Sequence, residues 1–460
     1  MQLPEDFIEN IKAKLSNAAY SNFLNALDEP SPTSIRIHPI KYHLPKPNEP
    51  VKWCSLGYYL KERPKFTLDP SFHAGAYYVQ EASSMIIWQV LHQINPLNNK
   101  LNILDLCAAP GGKSSLIASY LNNEGLLVCN EVIKNRSYTL RQNITKEGYS
   151  NIIISNNDPK DFSQLIDFFD VILIDAPCSG EGMFRKDQCS ITEWSNDNVQ
   201  ISCARQKIII ADVFPSLKPG GHIIYSTCTY NEKENIQNMH WVTTNFDVVS
   251  LPLVMKDDWK TIKIEHSGAI GYQFYPHLLS GEGFFVSILQ KQEMTHHSKN
   301  KRLRLHEKNL LTTDKKHVSV LSAWVISENK SFLTDKTGSI HLINENLNED
   351  ARILSNYLRL IYCGVTLGTV IRDVFVPDHS LALSLNILKP VSTIELSLKD
   401  ALMYLKKDLM SIENADKSWV LITYKGNGLG WIKNLGNRIN NYLPNENKIM
   451  MNIDFKSLQN

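Results

Sequence analysis

The chain has 460 residues, 43% of them hydrophobic and 21% charged, which is the composition of an ordinary globular protein. At roughly 150 residues per domain, this length suggests about three domains. Forty-eight basic and 47 acidic residues leave a formal net charge of only +1, which argues against coating nucleic acid by bulk charge. No apolar run approaches the roughly eighteen residues of a membrane span. The opening MQLPEDFIENIKAKL is mixed and acidic-leading, without the pattern of a secretory or transit signal. The cysteines are Cys54, Cys107, Cys129, Cys178, Cys189, Cys203, Cys228 and Cys363. None form a C-x-x-C pair, which excludes zinc-ribbon and thioredoxin readings. Scattered cysteines of this kind suggest reduced thiols, and a cytoplasmic location is expected.

Charge is uneven along the chain. Residues 1–72 carry a net +1, residues 73–290 a net −6 and residues 291–460 a net +6. Such asymmetry hints at an anionic partner, although long chains also fluctuate this much by chance.

Residues 1–72 read as a small mixed domain. PEDFIENIKAKL has helical spacing at Phe7, Ile8, Ile11 and Leu15, and SIRIH (34–38) alternates like a strand. YYVQEASSMIIWQVLHQI (77–94) reads as a mostly apolar helix. From residue 101, short β-rich runs alternate with helical stretches: LNILDL, GLLVCNE, NIIIS, FDVILIDAP and GGHIIYSTCT. That alternation predicts a parallel sheet with helices on both faces, completed by FDVVSL (246–251) and FFVSILQ (284–290). Residues 291–317 are polar and basic and read as a linker. His296 and His297 within it read as solvated rather than metal-bound. Residues 318–460 read as a small α+β module with short β-rich pieces and one helix near 398–410.

The most informative segment is NILDLCAAPGGKSSL, an apolar strand that ends in Asp105 and turns through Gly111 and Gly112 into a helix. Such a turn, at the carboxyl end of a parallel strand, is a place to hold a ligand. Glycines admit the backbone closely, and helix-start amides suit an anionic group. Gly112-Lys113-Ser114 fits the end of a Walker A loop, but Cys107 stands at the first glycine position. The dinucleotide pattern G-x-G-x-x-G is absent. A nucleoside cofactor with an amino-acid tail fits better, since Glu131 stands where an acid would bind ribose hydroxyls. A plain tight turn is the structural alternative.

The fourth strand of this run ends in DAPCSGEGMF, with Asp175 and Cys178, and the fifth in YSTCTYNEKEN, with Cys228. In a doubly wound sheet those strands are neighbours, so both cysteines belong over the same crevice. A cysteine is usually a small buried hydrophobe, which is the reading for Cys54, Cys129, Cys189, Cys203 and Cys363. For Cys178 and Cys228 the matched placement favours nucleophilic chemistry. Zinc is not expected, because no histidine or further cysteine lies at ligand spacing.

LDLCAAPGGKSS, NEVIKNR, NNDPKDF, DAPCSGEGMFRKD and YSTCTYNEKEN, in this order, resemble the motifs of the Nop/Sun family of RNA cytosine-5 methyltransferases. GAYYVQEASSM, ARQKII, LKPGG and YPHLLSGEGFF also fit that family's core. GVTLGTVIRDVFVPDHSLALSL and LGWIKNLGNRINNYLPNENK are similar to the C-terminal PUA-like extension of the bacterial RsmF-type ribosomal RNA enzymes. The terminal LPNENK departs from the pattern, which more often carries an arginine there.

The resemblance implies an α/β fold: a Rossmann-like class I methyltransferase core with a doubly wound, mostly parallel sheet over 73–290. It adds an N-terminal RNA-binding region (1–72), the basic linker (291–317) and a PUA-like α+β RNA-binding domain (318–460). It implies S-adenosylmethionine-dependent methylation of carbon 5 of cytosine in RNA, with 16S ribosomal RNA of the small subunit as the expected substrate. The run Cys107, Ala108, Ala109, Pro110, Gly111, Gly112 and Lys113 would hold the methionine part of the cofactor. Glu131 would bind the ribose, Asp158 would meet the adenine, and Asp175 would lie between cofactor and target base. Cys228 would be the nucleophile and Cys178 would assist product release. No metal, no membrane and a monomeric chain are expected. A transfer-RNA methyltransferase, a non-catalytic ribosome assembly factor and a DNA cytosine-5 methyltransferase are the alternatives. The last would nominate Cys178 as nucleophile; intact Cys178, Cys228, Asp175, Glu131 and Lys113 argue against the assembly factor.

Overall fold

Two short amphipathic helices open the chain, α1 (Glu5–Lys12) and α2 (Asn17–Asp28). Ser16 caps the second, its hydroxyl accepting from the Ala19 amide at 3.3 Å. This computed structural model describes residues 1–95, 97, 99–292, 309–388, 391–408 and 417–453. Strands β1 (Thr33–Ile37), β2 (Glu49–Pro50), β3 (Gly57–Leu60) and β4 (Tyr77–Val79) form an antiparallel sheet in the order β2-β3-β1-β4. Helix α3 (Pro70–His73) lies before β4, and α4 (Ile87–Ile94) after it. The expected single helix over 77–94 is therefore divided. Tyr77–Val79 pairs with β1, and Glu81 takes the amides of Ser83 and Ser84 at 2.7 and 2.9 Å, which starts a new turn.

The N-terminal helices pack directly on the segments that follow Cys178 and Cys228. Phe7 meets Phe184 edge-on, with ring centroids 5.0 Å apart, and Phe23 meets Tyr230 at 5.2 Å. Phe184 follows the Cys178 loop and Tyr230 follows Cys228, so this aromatic cluster supports both loops from behind.

The alternation after residue 101 becomes β5 (Asn102–Asp105), α5 (Gly112–Leu121), β6 (Leu126–Asn130), α6 (Lys134–Thr145), β7 (Ile152–Ser155) and β8 (Phe169–Asp175). There follow α7 (Gln188–Glu193), α8 (Asn196–Val213), β9 (Leu217–Thr227), α9 (Ile236–Asn245) and β10 (Val248–Leu251). Next come β11 (Ile262–His266), β12 (Ala269–Phe274) and β13 (Phe284–Lys291). Parallel strands run in the order β7-β6-β5-β8-β9, and β13, β12 and β11 continue antiparallel beyond β9. The central strands are buried on both faces, as their unbroken apolar runs require. The hairpin β11–β12 has no counterpart in the strands expected from sequence, because β11 is largely exposed and its IKIEH reads as polar.

Beyond the core, β14 (Leu310–Thr312), α10 (Lys315–Leu321), β15 (Lys330–Asp335), β16 (Ile340–Asn344) and α11 (Asn348–Tyr357) lead to β17 (Leu360–Cys363). Strands β18 (Val365–Ile371) and β19 (Val374–Pro377) complete the sheet β14-β15-β16-β18-β19. Strand β17 instead leaves that sheet and pairs antiparallel with β7, closing one edge of the core sheet. Helix α12 (His379–Ala382), β20 (Thr393–Glu395), α13 (Leu398–Lys406), β21 (Trp419–Tyr424), β22 (Asn427–Asn434) and β23 (Ile439–Asn441) follow, and β20–β23 form a separate four-stranded sheet. Of the basic stretch 291–317, Lys291 ends β13 and Leu310–Thr312 form β14; residues 293–308, with His296 and His297, lie outside the described residues.

One buried lysine ties the regions together. Lys41 donates to the carbonyls of Ala74, Lys146 and Leu383 at 3.3, 2.5 and 2.6 Å, and its own carbonyl accepts from the Asn427 side chain at 2.9 Å. Among the described residues no helix is long and apolar enough to cross a membrane.

Candidate active site

The β5–α5 loop is held from several sides. The Ala108 amide donates to the Asn130 carbonyl at 2.8 Å, Arg136 donates to the Ala109 carbonyl at 2.8 Å, and Asn143 to that of Pro110 at 2.9 Å. Gly111 has φ +112°, which suits glycine, and a Cβ there would stand 3.3 Å from Leu140. Gly111 therefore shapes the loop from behind, while Ala108, Ala109, Pro110, Gly112 and Lys113 line a recess of about 290 Å³ on its front.

Asp105 ends β5 fully buried. Ser114 donates to its Oδ2 at 2.6 Å, and Oδ1 has no hydrogen-bond partner in the protein. Burial pushes this carboxyl up to about 7 against the opposing pull of the Ser114 bond. Sequence analysis saw Asp105 only as the strand end and gave it no role.

Lys113, one residue into α5, reaches across to β8 and pairs with Asp175 at 2.7 Å. The other Asp175 oxygen accepts from Ser226 of β9 at 2.8 Å. Burial pulls Lys113 down, but the charge and hydrogen bond of Asp175 outweigh it and the amine titrates above its usual value. The pair is thus a fixed plus–minus unit at the carboxyl ends of three adjacent strands.

The two singled-out cysteines meet there. The Sγ atoms of Cys178 and Cys228 are 3.3 Å apart, as the adjacency of β8 and β9 predicted. The hydrogen bond to Cys228, and then burial, hold the Cys178 thiol well above its ordinary value. Their loops are locked by two buried glutamates that sequence analysis missed. Glu181, from the Cys178 loop, accepts from the Tyr230 amide at 3.0 Å, the Asn231 side chain at 3.2 Å and the Trp194 indole at 3.1 Å. Glu234, from the Cys228 side, accepts from Ser179 and Gln206. Within the polar run YNEKEN a glutamate reads as solvated, so only the spacing from a reactive cysteine could have drawn attention to it.

A second, larger cavity of about 830 Å³ opens on the other side of Cys107. Cys107, Ala109, Asp175 and Cys228 line both cavities and so stand at their junction. Glu131 lines the larger one, 3% exposed, its carboxylate taking the Ile133 amide at 2.9 Å and standing 3.5 Å from Arg136. Asp158 lies in its wall beside Pro159 and caps the following turn by accepting from the Lys160 amide at 3.1 Å. Exposed Val132, Ile133, Ile201 and Ile208 give the same cavity an apolar wall. Its volume is within the usual range for small-molecule sites. Among the described residues no cluster of three or more His, Cys, Asp or Glu side chains could hold a metal ion.

This strand order, with its glycine-bearing loop after the first parallel strand, defines a Rossmann-like methyltransferase. The crystal structure of NSun6 from Pyrococcus horikoshii with SFG shares the fold, with a TM-score of 0.52 at 20% identity over 63% of this chain and 99% of that one. Residues 91–290 match the model of 16S rRNA methyltransferase RsmB/F, residues 3–82 that of the N-terminal domain of 16S rRNA methyltransferase RsmF, and residues 391–447 that of the methyltransferase RsmF PUA domain. The ribosomal RNA small subunit methyltransferase F of Vibrio vulnificus is 30% identical over 96% of this chain and 97% of its own length. That of Shewanella piezotolerans is 29% identical over 96% of each. The chain belongs to the RsmB/F family of 16S rRNA methyltransferases.

Proposed function

We propose that this protein uses S-adenosylmethionine to methylate carbon 5 of a cytosine in 16S ribosomal RNA, through a covalent bond between Cys228 and the base. The observation that carries this reading is the pair of sulfurs 3.3 Å apart beside the Lys113–Asp175 pair, at the junction of two cavities. The larger cavity fits the cofactor: Glu131 offers a buried carboxylate for ribose hydroxyls, and the apolar wall with Asp158 suits adenine. The loop Cys107–Lys113 would hold the amino-acid tail, whose ammonium would satisfy the orphaned oxygen of Asp105. Bound there, S-adenosylmethionine supplies a methyl group on a sulfonium sulfur.

Carbon 5 of cytosine is too poor a nucleophile to take that methyl unaided. Addition of the Cys228 thiolate to carbon 6 forms an S–C bond and shifts the double-bond electrons toward carbon 5. Asp175 and Lys113 present a fixed acceptor and donor to the polar edge of the base while its charge changes. After methylation a base removes the carbon 5 proton, the C–H pair restores the ring double bond, and the S–C pair returns to Cys228. Cys178, which keeps its proton, donates its S–H to the departing sulfur. A base must leave its stack to reach this recess. The N-terminal region and the PUA domain supply RNA contacts, and the enzyme acts as a single chain in the cytoplasm.

Cysteine substitution tests the reading. Cys228→Ala should abolish methylation of ribosomal RNA, and Cys178→Ala should accumulate a denaturation-resistant protein–RNA adduct. Full activity in the first variant, or an adduct that requires Cys178, overturns the roles.

A further inference from the structure

The release step depends on where the Cys178 sulfur sits, and the structure shows what sets that position. Glu234 has no exposed surface. Its Oε1 accepts from the Ser179 hydroxyl at 2.5 Å and its Oε2 from the Ser179 amide at 3.0 Å. Ser179 is the residue directly after Cys178. On the other side, Gln206 of α8 donates both to the Pro177 carbonyl at 3.0 Å and to Glu234 Oε2 at 2.9 Å. The cysteine is thus held at both of its backbone neighbours by one continuous hydrogen-bond chain. The Glu234 backbone is itself anchored, its carbonyl accepting from the Tyr225 hydroxyl at 2.6 Å. Among the described residues Glu234 has no ion-pair partner; three donors, two of them on Ser179, are what compensate its burial, and a salt bridge does not.

We propose that Glu234 is a positioning residue: acting through Ser179, it holds Cys178 against Cys228 and so governs release of the methylated RNA. This rests on the cysteine roles proposed above. In the release step the carbon 5 proton passes to a base and its C–H pair re-forms the ring double bond. The S–C pair returns to Cys228, where the S–H of Cys178 meets the new charge. A Cys178 loop that has drifted cannot make that donation, while the attack by Cys228 does not depend on it. Among the described residues the Glu181 carboxylate bonds to Tyr230, Asn231 and Trp194 but not to Ser179, so it does not take the place of Glu234 beside Cys178.

The test measures the fraction of methylated RNA that remains covalently attached to the full-length protein after denaturation. Glu234→Gln, Ser179→Ala and Cys178→Ala are compared with the natural chain. Cys178→Ala sets the maximum. Glu234→Gln should raise the attached fraction at least fivefold, and Ser179→Ala should raise it in the same direction. Adding Glu234→Gln to Cys178→Ala should raise it no further, because both act on one step. Methylation that falls without a rise in the attached fraction, in both Glu234→Gln and Ser179→Ala, overturns the proposal, as does an additive double variant. If Cys178→Ala itself leaves no adduct, the cysteine roles fail first, and that result is read independently of Glu234.

Discussion

Asp105→Asn isolates the electrostatics beneath the cofactor loop. The substitution keeps the shape of the side chain and an acceptor for Ser114, but removes the charge. In the unfolded chain Asp105 loses its proton near 3.8, whereas in the folded protein it holds it to about 7. Between those values the native state binds the extra proton, so this residue's contribution to stability falls as pH rises and is constant above about pH 7. A displacement of about three pH units corresponds to about 4 kcal/mol in full. In the cofactor-free protein, Asp105→Asn should therefore match the natural chain at pH 4 and exceed it by up to about 4 kcal/mol at pH 8. Urea denaturation at pH 4, 5, 6, 7 and 8 measures the difference. Buried Glu147 and Glu234, which also titrate at about 7, act equally in both proteins and cancel. Cofactor binding should move the opposite way. If Asp105 faces the ammonium of the bound tail, the variant weakens S-adenosylhomocysteine by tenfold or more in calorimetry at pH 8. Parallel stability curves for the two proteins would refute the reasoning, since burial of an ionised carboxylate would then carry no cost here.

Other consequences are more direct. Phe23→Ala should cost about 3–5 kcal/mol in denaturant unfolding, because it empties the aromatic cluster behind Tyr230 and Phe184. Arg136→Ala removes a bond to the Ala109 carbonyl and a charge near Glu131, and should weaken S-adenosylhomocysteine by roughly five- to tenfold in calorimetry. Lys41→Met should leave the core sheet intact but speed hydrogen exchange around Leu383–Leu385 and across β21–β22, since three carbonyls lose their shared donor.

The core was legible because its signals are local. Apolar runs with small-residue turns gave the parallel strands, and the neighbouring ends of the fourth and fifth brought Cys178 and Cys228 to one crevice. Residues whose role depends on burial were not legible. Arg36 illustrates this: SIRIH alternates, so a polar residue in it reads as solvent-facing. Instead β1 is buried throughout, and Arg36 donates to Gln80, Ser115 and Ser119 at 3.0, 2.6 and 2.7 Å, bracing α5 from below. Glu181 stands between two glycines and Glu234 in a polar run, and no periodicity marks either as buried. Strand β17 was read with the C-terminal module because its LIYC carries no sign of the sheet it joins.

That strand has a bearing on how the protein comes into being. Ile152–Ser155 find their outer partner in residues 360–363, about 200 residues later in the chain. At roughly 5–20 residues per second, synthesis takes on the order of ten to forty seconds to deliver it. Through that interval the nascent sheet presents a strand of three isoleucines with free backbone groups, a template for wrong pairing. The edge of the parallel sheet is thus covered only once residues 360–363 have been made. Chains that stop before residue 360 should aggregate instead of yielding a smaller working enzyme.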